Sequence, residues 1–265
     1  MAKLAKKFQR LIARNLRHAA GPQPDRLRFQ DPAIFLDGAA QLAGRREQRR
    51  TEVFTEHVNQ ERHAFFTRAI MYLLCAGVRG DYYEFGCYSA NTFRTALSLA
   101  NTLGLDDMRY YAFDSFAGLP EPVAGVSPES GWTAGSMCMT VEQFWEKVRP
   151  LRLSLNAIEV IPGFFDQSLT AERQRACLAT NRKIALLNVD CDLYESAVPV
   201  FRFVEPLLQE GSLIYLDDFF AGYRGNPRKG VAAAFHEFAA RSAWAFQSFH
   251  PVGGWGQSFI AYPKS

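Results

Sequence analysis

The sequence predicts an α/β protein built on an open, doubly wound sheet. From residue 80 onward, short apolar runs alternate with helical patterns, an arrangement typical of a mostly parallel sheet. Acidic residues directly follow two of these runs, at Asp190 and at Asp217. Two further runs flank Gly253-Gly254-Trp255-Gly256, and a glycine-rich turn between strands indicates an antiparallel pair. We therefore expect seven strands, with the antiparallel pair at the end of the chain.

The composition indicates a globular cytoplasmic protein. The chain has 265 residues, of which 48% are hydrophobic, and this is enough for one large α/β domain. The net charge of +3 is uneven because the first 20 residues hold six basic residues and no acid. The remainder is mildly acidic, which argues against nucleic-acid binding. No apolar run reaches the roughly 18 residues of a membrane span, and the amino terminus lacks the apolar core of a secretory signal.

The amino-terminal region has a separate character. Residues 3–18 form a basic amphipathic pattern, which fits contact with a membrane surface or a partner. It fits equally well a solvated helix that packs on its own domain or on a second subunit of a homo-oligomer. We predict three parts of the chain: a basic helix over residues 1–20, a linker and helical cap over 21–79, and the main domain over 80–265.

The elements of the main domain follow from the apolar runs and from the capping and helix-terminating residues between them. Gly80 ends a helical pattern that begins near residue 51, and Thr140 to Gln143 form a capping box. Residues 117–139 are rich in Gly, Pro and Ser and too long for a simple connection, so we expect a lid or substrate loop. The predicted strands are 82–86, 109–113, 157–161, 183–187, 212–216, 245–249 and 257–262, and the predicted helices are 91–103, 170–180, 196–209 and 231–241.

Three strand ends carry residues suited to a small anionic or nucleoside ligand. After Gly86 the chain passes into a helix amino terminus, where backbone N–H groups face a ligand, although an ordinary strand–helix turn explains the same pattern. The dinucleotide glycine fingerprint is absent, so a carboxylate fits better than a pyrophosphate. Asp114 is placed to accept ribose hydroxyls or to serve as a turn residue. The Phe164-Phe165 pair could sandwich an adenine or belong to the core.

Four carboxylates follow the fourth and fifth strands. Ligands of open α/β sheets bind beyond the carboxyl ends of the strands, and acids gathered there repel each other unless a positive group joins them. A divalent cation with oxygen ligands meets this need. Asp190 and Asp192 would share one side of a strand. The adjacent Asp217 and Asp218 would diverge in a regular strand, so both reach one metal only if the strand has ended there.

Several segments together resemble one enzyme family. They are Glu-Phe-Gly at residues 84–86, Phe-Asp-Ser-Phe-x-Gly-Leu-Pro at 113–120, Asp-x-Asp-Leu-Tyr-x-Ser at 190–196 and Leu-Asp-Asp-Phe at 216–219. The chain is similar over residues 80–240 to the macrocin O-methyltransferase family. That family comprises class I, Rossmann-like enzymes that depend on S-adenosylmethionine and magnesium and methylate sugar hydroxyls of natural products.

The resemblance implies roles for particular residues. Mg²⁺ or another divalent cation would be held by Asp190, Asp217 and Asp218, and Asp192 would be the general base. Asp114 would bind the cofactor ribose, and Glu84 and Gly86 would shape the methionine end. From their own positions beside these strand ends, Thr92, Ser115, Gly163 and Phe164 are further candidate cofactor-binding residues. The chain departs from the family at Ala90-Asn91, where the family usually has Gly-Gly.

These expectations lead to one function and two alternatives. We expect methyl transfer from S-adenosylmethionine to a hydroxyl of a sugar or glycosylated small molecule. The alternatives are a metal-dependent nucleotide-sugar transferase or hydrolase, and a non-catalytic docking module on the same fold. The positive charges of Arg224, Arg228 and Lys229 would suit an anionic acceptor, although solvated loop charges explain them as well.

Overall fold

The computed structural model describes residues 32–121, 123, 133–151 and 157–264. The predicted basic helix at 3–18, the start of the linker, and residues 122 and 124–132 of the predicted lid lie outside the described residues. The contacts divide the chain into two compact units, Met1–Phe54 and Thr55–Ser265, and the sheet belongs entirely to the second.

A seven-stranded mixed sheet forms the second unit. The strands are β1 (Asp81–Phe85), β2 (Tyr110–Asp114), β3 (Ile158–Pro162), β4 (Ile184–Val189), β5 (Leu213–Leu216), β6 (Trp244–Val252) and β7 (Gly256–Pro263). Their order across the sheet is β3-β2-β1-β4-β5-β7-β6. The first five strands pair in parallel, whereas β7 is antiparallel to both β5 and β6. The prediction of a mostly parallel sheet with a terminal antiparallel pair is confirmed.

Helices cover both faces of this sheet. They are α1 (Pro32–Ala76), α2 (Asn91–Thr102), α3 (Val141–Val148), α4 (Phe165–Ser168), α5 (Ala171–Ala179), α6 (Tyr194–Val204) and α7 (Gly230–Arg241), with 3₁₀ turns at Arg149–Leu151 and Glu205–Leu207. One buried cluster joins the sheet to α1, α2 and α3 through Phe65, Phe93 and Phe144. The other joins it to α6 and α7 through Phe201 and Phe238.

Aromatic side chains fix the register of the two central strands. Residues alternate between the sheet faces, so Tyr82 enters one cluster while Tyr83 and Phe85 enter the other. Tyr83 stacks on Tyr111 with ring centroids 4.4 Å apart, and Phe85 stacks on Phe113 at 4.5 Å. Cross-strand pairs of this kind stabilise a particular register. The register brings the carboxyl ends of β1 and β2 side by side.

Two helices differ from the sequence prediction. α1 begins at Pro32 rather than near residue 51. The sequence prediction missed this first part of the helix because it has no apolar periodicity, and Arg45, Glu47 and Gln48 there are exposed. α6 ends at Val204 rather than at 209, and Pro206 lies two residues further on. Proline disfavours continuation of a helix because it has no N–H and its ring clashes with the preceding turn. Within the described ranges, no helix combines the length and apolarity that crossing a membrane requires.

Candidate active site

Three carboxylates meet where β4 and β5 end. Val189 pairs with Leu216 across these strands, so the residues that follow them start from neighbouring positions. β5 has ended before Asp217 and the backbone turns there, which meets the condition for Asp217 and Asp218 to act together. Carboxylate oxygens of Asp190, Asp217 and Asp218 all lie within 4.8 Å of one another.

Asp192 lies beside this cluster but is held differently. β4 ends at Val189, so strand alternation, which was expected to align Asp190 with Asp192, does not apply. Asp192 has a φ of 60°, in the left-handed region that aspartate tolerates better than most residues. Its backbone N–H donates a hydrogen bond to Asp218 Oδ2 at 3.0 Å. The turn therefore fixes the backbone of Asp192 against a member of the cluster.

A positive charge from α1 lies at the cluster. Arg62 Nε donates to Asp217 Oδ1 at 3.0 Å, and Arg62 Nη2 donates to Asp217 Oδ2 at 2.5 Å. The same Nη2 is 3.6 Å from Asp190 Oδ2. Burial alone would lower the pKa of Arg62, but the charges of Asp190 and Asp217 outweigh it and raise that pKa above its usual value.

Asp217 has two further donors. The hydroxyl of Tyr215 donates to Asp217 Oδ1, and the indole Nε1 of Trp255 lies 3.4 Å from Asp217 Oδ2. Asp217 is only 3% exposed, so these contacts replace the water that a surface carboxylate would have. Burial and then the charge of Asp217 raise the pKa of Tyr215, which keeps its hydroxyl protonated as a donor.

The donor set suits a divalent cation. Burial raises the pKa of Asp190 well above its usual value, the charge of Asp217 adds to this effect, and Arg62 opposes it. Burial and then the charges of Asp192 and Asp217 raise the pKa of Asp218. Ionising these two carboxyls is therefore costly even beside Arg62, and a divalent cation would favour their ionised forms. Oxygen ligands lie about 2.0–2.6 Å from a Mg²⁺ or Ca²⁺ ion, so two of them are at most about 4–5 Å apart, and the spacing of these carboxylates is within that limit.

Glu84 contacts the first turn of α2 from within the sheet. It is fully buried, and Thr92 Oγ1 donates to its Oε1 at 2.7 Å while the hydroxyl of Tyr82 donates to Oε2. Burial raises the pKa of Glu84 to about 7, although both hydrogen bonds oppose this shift. The carboxylate joins the end of β1 to the first turn of α2. The two predicted cofactor residues Glu84 and Thr92 are therefore in direct contact.

The turn between β1 and α2 has an unusual backbone. Gly86 has a φ of 90°, and its N–H donates to the carbonyl of Phe113 at 2.9 Å. Ser89 and Ala90 have φ values of 51° and 56°, in the left-handed region where glycine is favoured. Ala90 thus adopts a conformation that glycine adopts more easily. It is one of the two positions at which the chain departs from the Gly-Gly usual in the family it resembles.

Asp114 organises the next strand end. Its Oδ2 accepts the N–H of Cys87 at 2.6 Å, and its Oδ1 accepts the N–H of Phe116 at 2.7 Å. Burial raises the pKa of Asp114, and these backbone hydrogen bonds lower it in part. Asp114 is therefore a turn residue, as one interpretation of the sequence expected. A carboxylate has about four lone-pair sites, so both oxygens can also accept ribose hydroxyls.

The remaining cofactor candidates lie around Asp114. Ser115 Oγ donates to the carbonyl of Gly118 at 2.6 Å and so holds the turn after β2. The N–H of Gly163 donates to the carbonyl of Asp114 at 2.9 Å. Phe164 precedes α4 and is half-buried, whereas Phe165 packs edge-on against Phe85, with centroids 5.7 Å apart. Of this pair, Phe165 belongs to the core.

Sequence reasoning missed three residues that contact the cluster. Arg62 lies in an ordinary helical pattern, 155 residues before Asp217, and no motif marks it. Tyr215 was assigned to an apolar strand, and Trp255 to a turn between two strands. Strand alternation gives no signal for Tyr215 either, because β5 ends at Leu216 and Asp217 already lies in the turn.

The chain shares its fold with solved O-methyltransferases. The structure superposes on the O-methyltransferase NovP with a TM-score of 0.60 and 18% identity, over 76% of this chain and 79% of that one. It superposes on the calicheamicin methyltransferase CalS11 with a TM-score of 0.59 and 18% identity, over 75% and 77% of the two chains.

Residues 50–243 match a family model described as Macrocin-O-methyltransferase (TylF). The chain belongs to this family, as the sequence motifs indicated. A relative from Streptomyces olivaceus is 26% identical over 152 residues, which is 56% of each chain. It is named 8-demethyl-8-(2,3-dimethoxy-alpha-L-rhamnosyl)-tetracenomycin-C 4'-O-methyltransferase. The match thus spans little more than half the length of that relative.

Proposed function

We propose that the protein transfers a methyl group from S-adenosylmethionine to a hydroxyl of a sugar or glycosylated small molecule, and that this requires Mg²⁺ or another divalent cation. The observation that carries the proposal is the group of three carboxylates, Asp190, Asp217 and Asp218, beside Asp192. Family membership supports methyl transfer over both alternatives. The name of the Streptomyces olivaceus relative, which specifies an oxygen of a rhamnosyl group, supports a sugar acceptor.

The cofactor would lie across the ends of β1 and β2. Asp114 would accept the ribose hydroxyls, and the turn that begins at Gly86 would direct backbone N–H groups towards the cofactor carboxylate. Glu84 and Thr92 would hold that turn against the sheet. S-adenosylmethionine, when bound, supplies a methyl group on a sulfonium, which is already a strong electrophile.

The acceptor needs more help than the donor does, because a sugar hydroxyl is a weak acid. Asp192 would take the proton of that hydroxyl, since a carboxylate within hydrogen-bond reach is an effective general base. Its turn is attached to Asp218 through the 3.0 Å hydrogen bond, which keeps the base next to the cluster. A divalent cation on Asp190, Asp217 and Asp218 would act as a Lewis acid and increase the acidity of the alcohol.

Metal removal tests the proposal directly. Methyl transfer from S-adenosylmethionine to a panel of sugar and glycoside acceptors should stop in EDTA and return when excess Mg²⁺ is added. Transfer that continues undiminished in EDTA would count against the metal. In a thermal-shift assay, S-adenosylmethionine should raise the melting temperature, because a ligand that binds only the folded state stabilises it. A rise with nucleotide-sugars alone would favour the transferase alternative.

The role of Asp192 has its own test. The Asp192→Asn variant should lose about 10²–10⁴-fold in turnover, the usual contribution of general acid–base catalysis, and should keep its affinity for S-adenosylhomocysteine. Asp106→Asn, in an exposed loop before β2, is the matched control and should behave as wild type. Normal turnover in Asp192→Asn would remove the base assignment.

Acceptor choice and partners are also part of the proposal. Arg224, Arg228 and Lys229 are exposed in the loop before α7 and would favour an anionic acceptor. Residues 3–18 would contact a membrane surface or a second subunit, within a cytoplasmic setting. No nucleic-acid partner is expected, because the chain outside its first 20 residues is mildly acidic.

A further inference from the structure

We propose that Arg62 and the divalent cation are alternative occupants of the same carboxylate oxygens, so that binding of the cation displaces the Arg62 guanidinium. The inference rests on the metal requirement in the proposed function. It assigns to α1 a part in the metal chemistry that the acidic residues alone do not reveal.

The geometry of the guanidinium carries the inference. Nη2 of Arg62 lies 2.5 Å from Asp217 Oδ2 and 3.6 Å from Asp190 Oδ2, between two of the three candidate ligands. A Mg²⁺ or Ca²⁺ ion sits about 2.0–2.6 Å from each ligating oxygen. A cation that joined Asp190 to Asp217 would therefore need the space and the oxygens that Nη2 now uses. Two positive groups this close would also repel each other.

The surroundings of Asp217 allow the guanidinium to leave. Asp217 keeps the hydroxyl of Tyr215 and the indole N–H of Trp255 when Arg62 departs, so it is not left without donors. The side chain of Arg62 is 23% exposed and has a route to solvent. The guanidinium bonds to Asp217 and only approaches Asp190, whereas a divalent cation would gain from several carboxylates at once.

Arg62 therefore has a recognisable function before metal binds. Asp190, Asp217 and Asp218 would otherwise face each other across less than 5 Å with no positive charge from α1. The guanidinium offsets part of that repulsion and holds the carboxylates in place. The same contact weakens metal binding, because the cation must replace it.

Calorimetric titration with Mg²⁺ tests the competition on four full-length proteins, the wild type and three variants. Arg62→Gln should bind Mg²⁺ about tenfold more tightly than wild type. In wild type the cation must first break the charged hydrogen bonds between Arg62 and Asp217, and in the variant these bonds are absent. Arg62→Lys keeps the charge without the two-pronged contact and should fall between them. Arg68→Gln, an exposed arginine on the same helix, is the matched control and should equal wild type.

A second measurement needs no variant. The Nε–H resonance of Arg62 in ¹⁵N-labelled wild-type protein should be protected without metal, because it donates to Asp217. Titration with Mg²⁺ should remove that protection and leave the resonances of exposed arginines unchanged. A resonance that remains protected at saturating Mg²⁺ would overturn the inference even if the variants fold poorly.

The outcomes separate this inference from the proposed function. Unchanged or weaker Mg²⁺ binding by Arg62→Gln, with clear binding by wild type, would overturn the competition and leave the metal requirement standing. Weaker binding would mean that Arg62 orients Asp217 for the ion. If neither protein binds Mg²⁺ or Mn²⁺, the metal requirement fails and the competition fails with it.

Discussion

A β-carbon added to Gly86 would lie 1.7 Å from the carbonyl oxygen of Asp190. Gly86 begins the turn after β1 that is proposed to bind the cofactor, and Asp190 begins the acidic cluster after β4. The two strands are paired, and the N–H of Asp190 donates to the carbonyl of Phe85 at 2.9 Å. The absence of a side chain at Gly86 is therefore what allows the two halves of the candidate site to approach so closely.

Gly86→Ala should damage both halves of the site. The methyl group would overlap the Asp190 backbone, so we expect a loss of about 3 kcal/mol or more in the free energy of unfolding, together with loss of S-adenosylhomocysteine binding. Gly104→Ala is a matched control, because Gly104 has a φ of 85° but no atom within 4 Å of an added β-carbon. The free energy of unfolding of Gly104→Ala should fall by only about 1–2 kcal/mol, the cost of placing a residue with a β-carbon in this backbone conformation. Equal losses in urea unfolding would show that the contact with Asp190 is unimportant.

Asp114→Asn distinguishes a turn residue from a ribose ligand. The amide removes an acceptor and its charge, so the Kd for S-adenosylhomocysteine should rise by about tenfold or more if ribose binds there. The stability of the apoprotein should also fall, because the carboxylate accepts the N–H groups of Cys87 and Phe116. Isothermal titration measures the first effect and urea unfolding the second. Lower stability with unchanged cofactor affinity would leave Asp114 as a turn residue alone.

Glu84 should make folding stability depend on pH. Its folded-state pKa of about 7 exceeds the ordinary value of 4.5 for glutamate, so the native state binds more protons than the unfolded state between these values. Its contribution to stability therefore falls as pH rises from about 4.5 to 7 and is constant above that. At about 1.4 kcal/mol per pKa unit, wild type should lose up to about 3 kcal/mol relative to Glu84→Gln across this range. Parallel stability curves for the two apoproteins from pH 5 to 8 would contradict this.

Ser89→Gly should stabilise the apoprotein. Ser89 has a φ of 51°, and a residue with a β-carbon loses about 1–2 kcal/mol in this conformation, so glycine should recover on the order of 1 kcal/mol. Ser98→Gly, at an exposed position within α2, should have the opposite sign, because glycine destabilises a helix interior. Urea unfolding of both variants makes the comparison. A loss of stability in Ser89→Gly would mean that the serine side chain contributes more than its backbone costs.

The sequence revealed the carboxylates because each follows a strand directly. Apolar runs locate the strand ends, and parallel strands end at the same edge, so Asp190 and Asp217 could be brought together without a structure. Arg62 could not be found this way. It lies in a helix that packs across the sheet, and the contact with Asp217 depends on how α1 docks. Helical periodicity shows which residues face the core, but it does not show which distant group a long polar side chain will contact.

The left-handed conformation of Asp192 was also beyond sequence reasoning. A strand model placed Asp190 and Asp192 on one side, but β4 had already ended. The pattern identifies which residues gather at the edge, whereas the turn decides what each one can reach. The role of the candidate base depends on that turn more than on strand alternation.

The pairing of β4 with β5 has a consequence for the protein's lifetime. Asp190 and Asp217 are close only because the two strands lie side by side, so the unfolded chain has no comparable chelating group. Any ion held there adds to the stability of the native state alone. Heat resistance and protease resistance should therefore vary with the concentration of free divalent ions around the molecule.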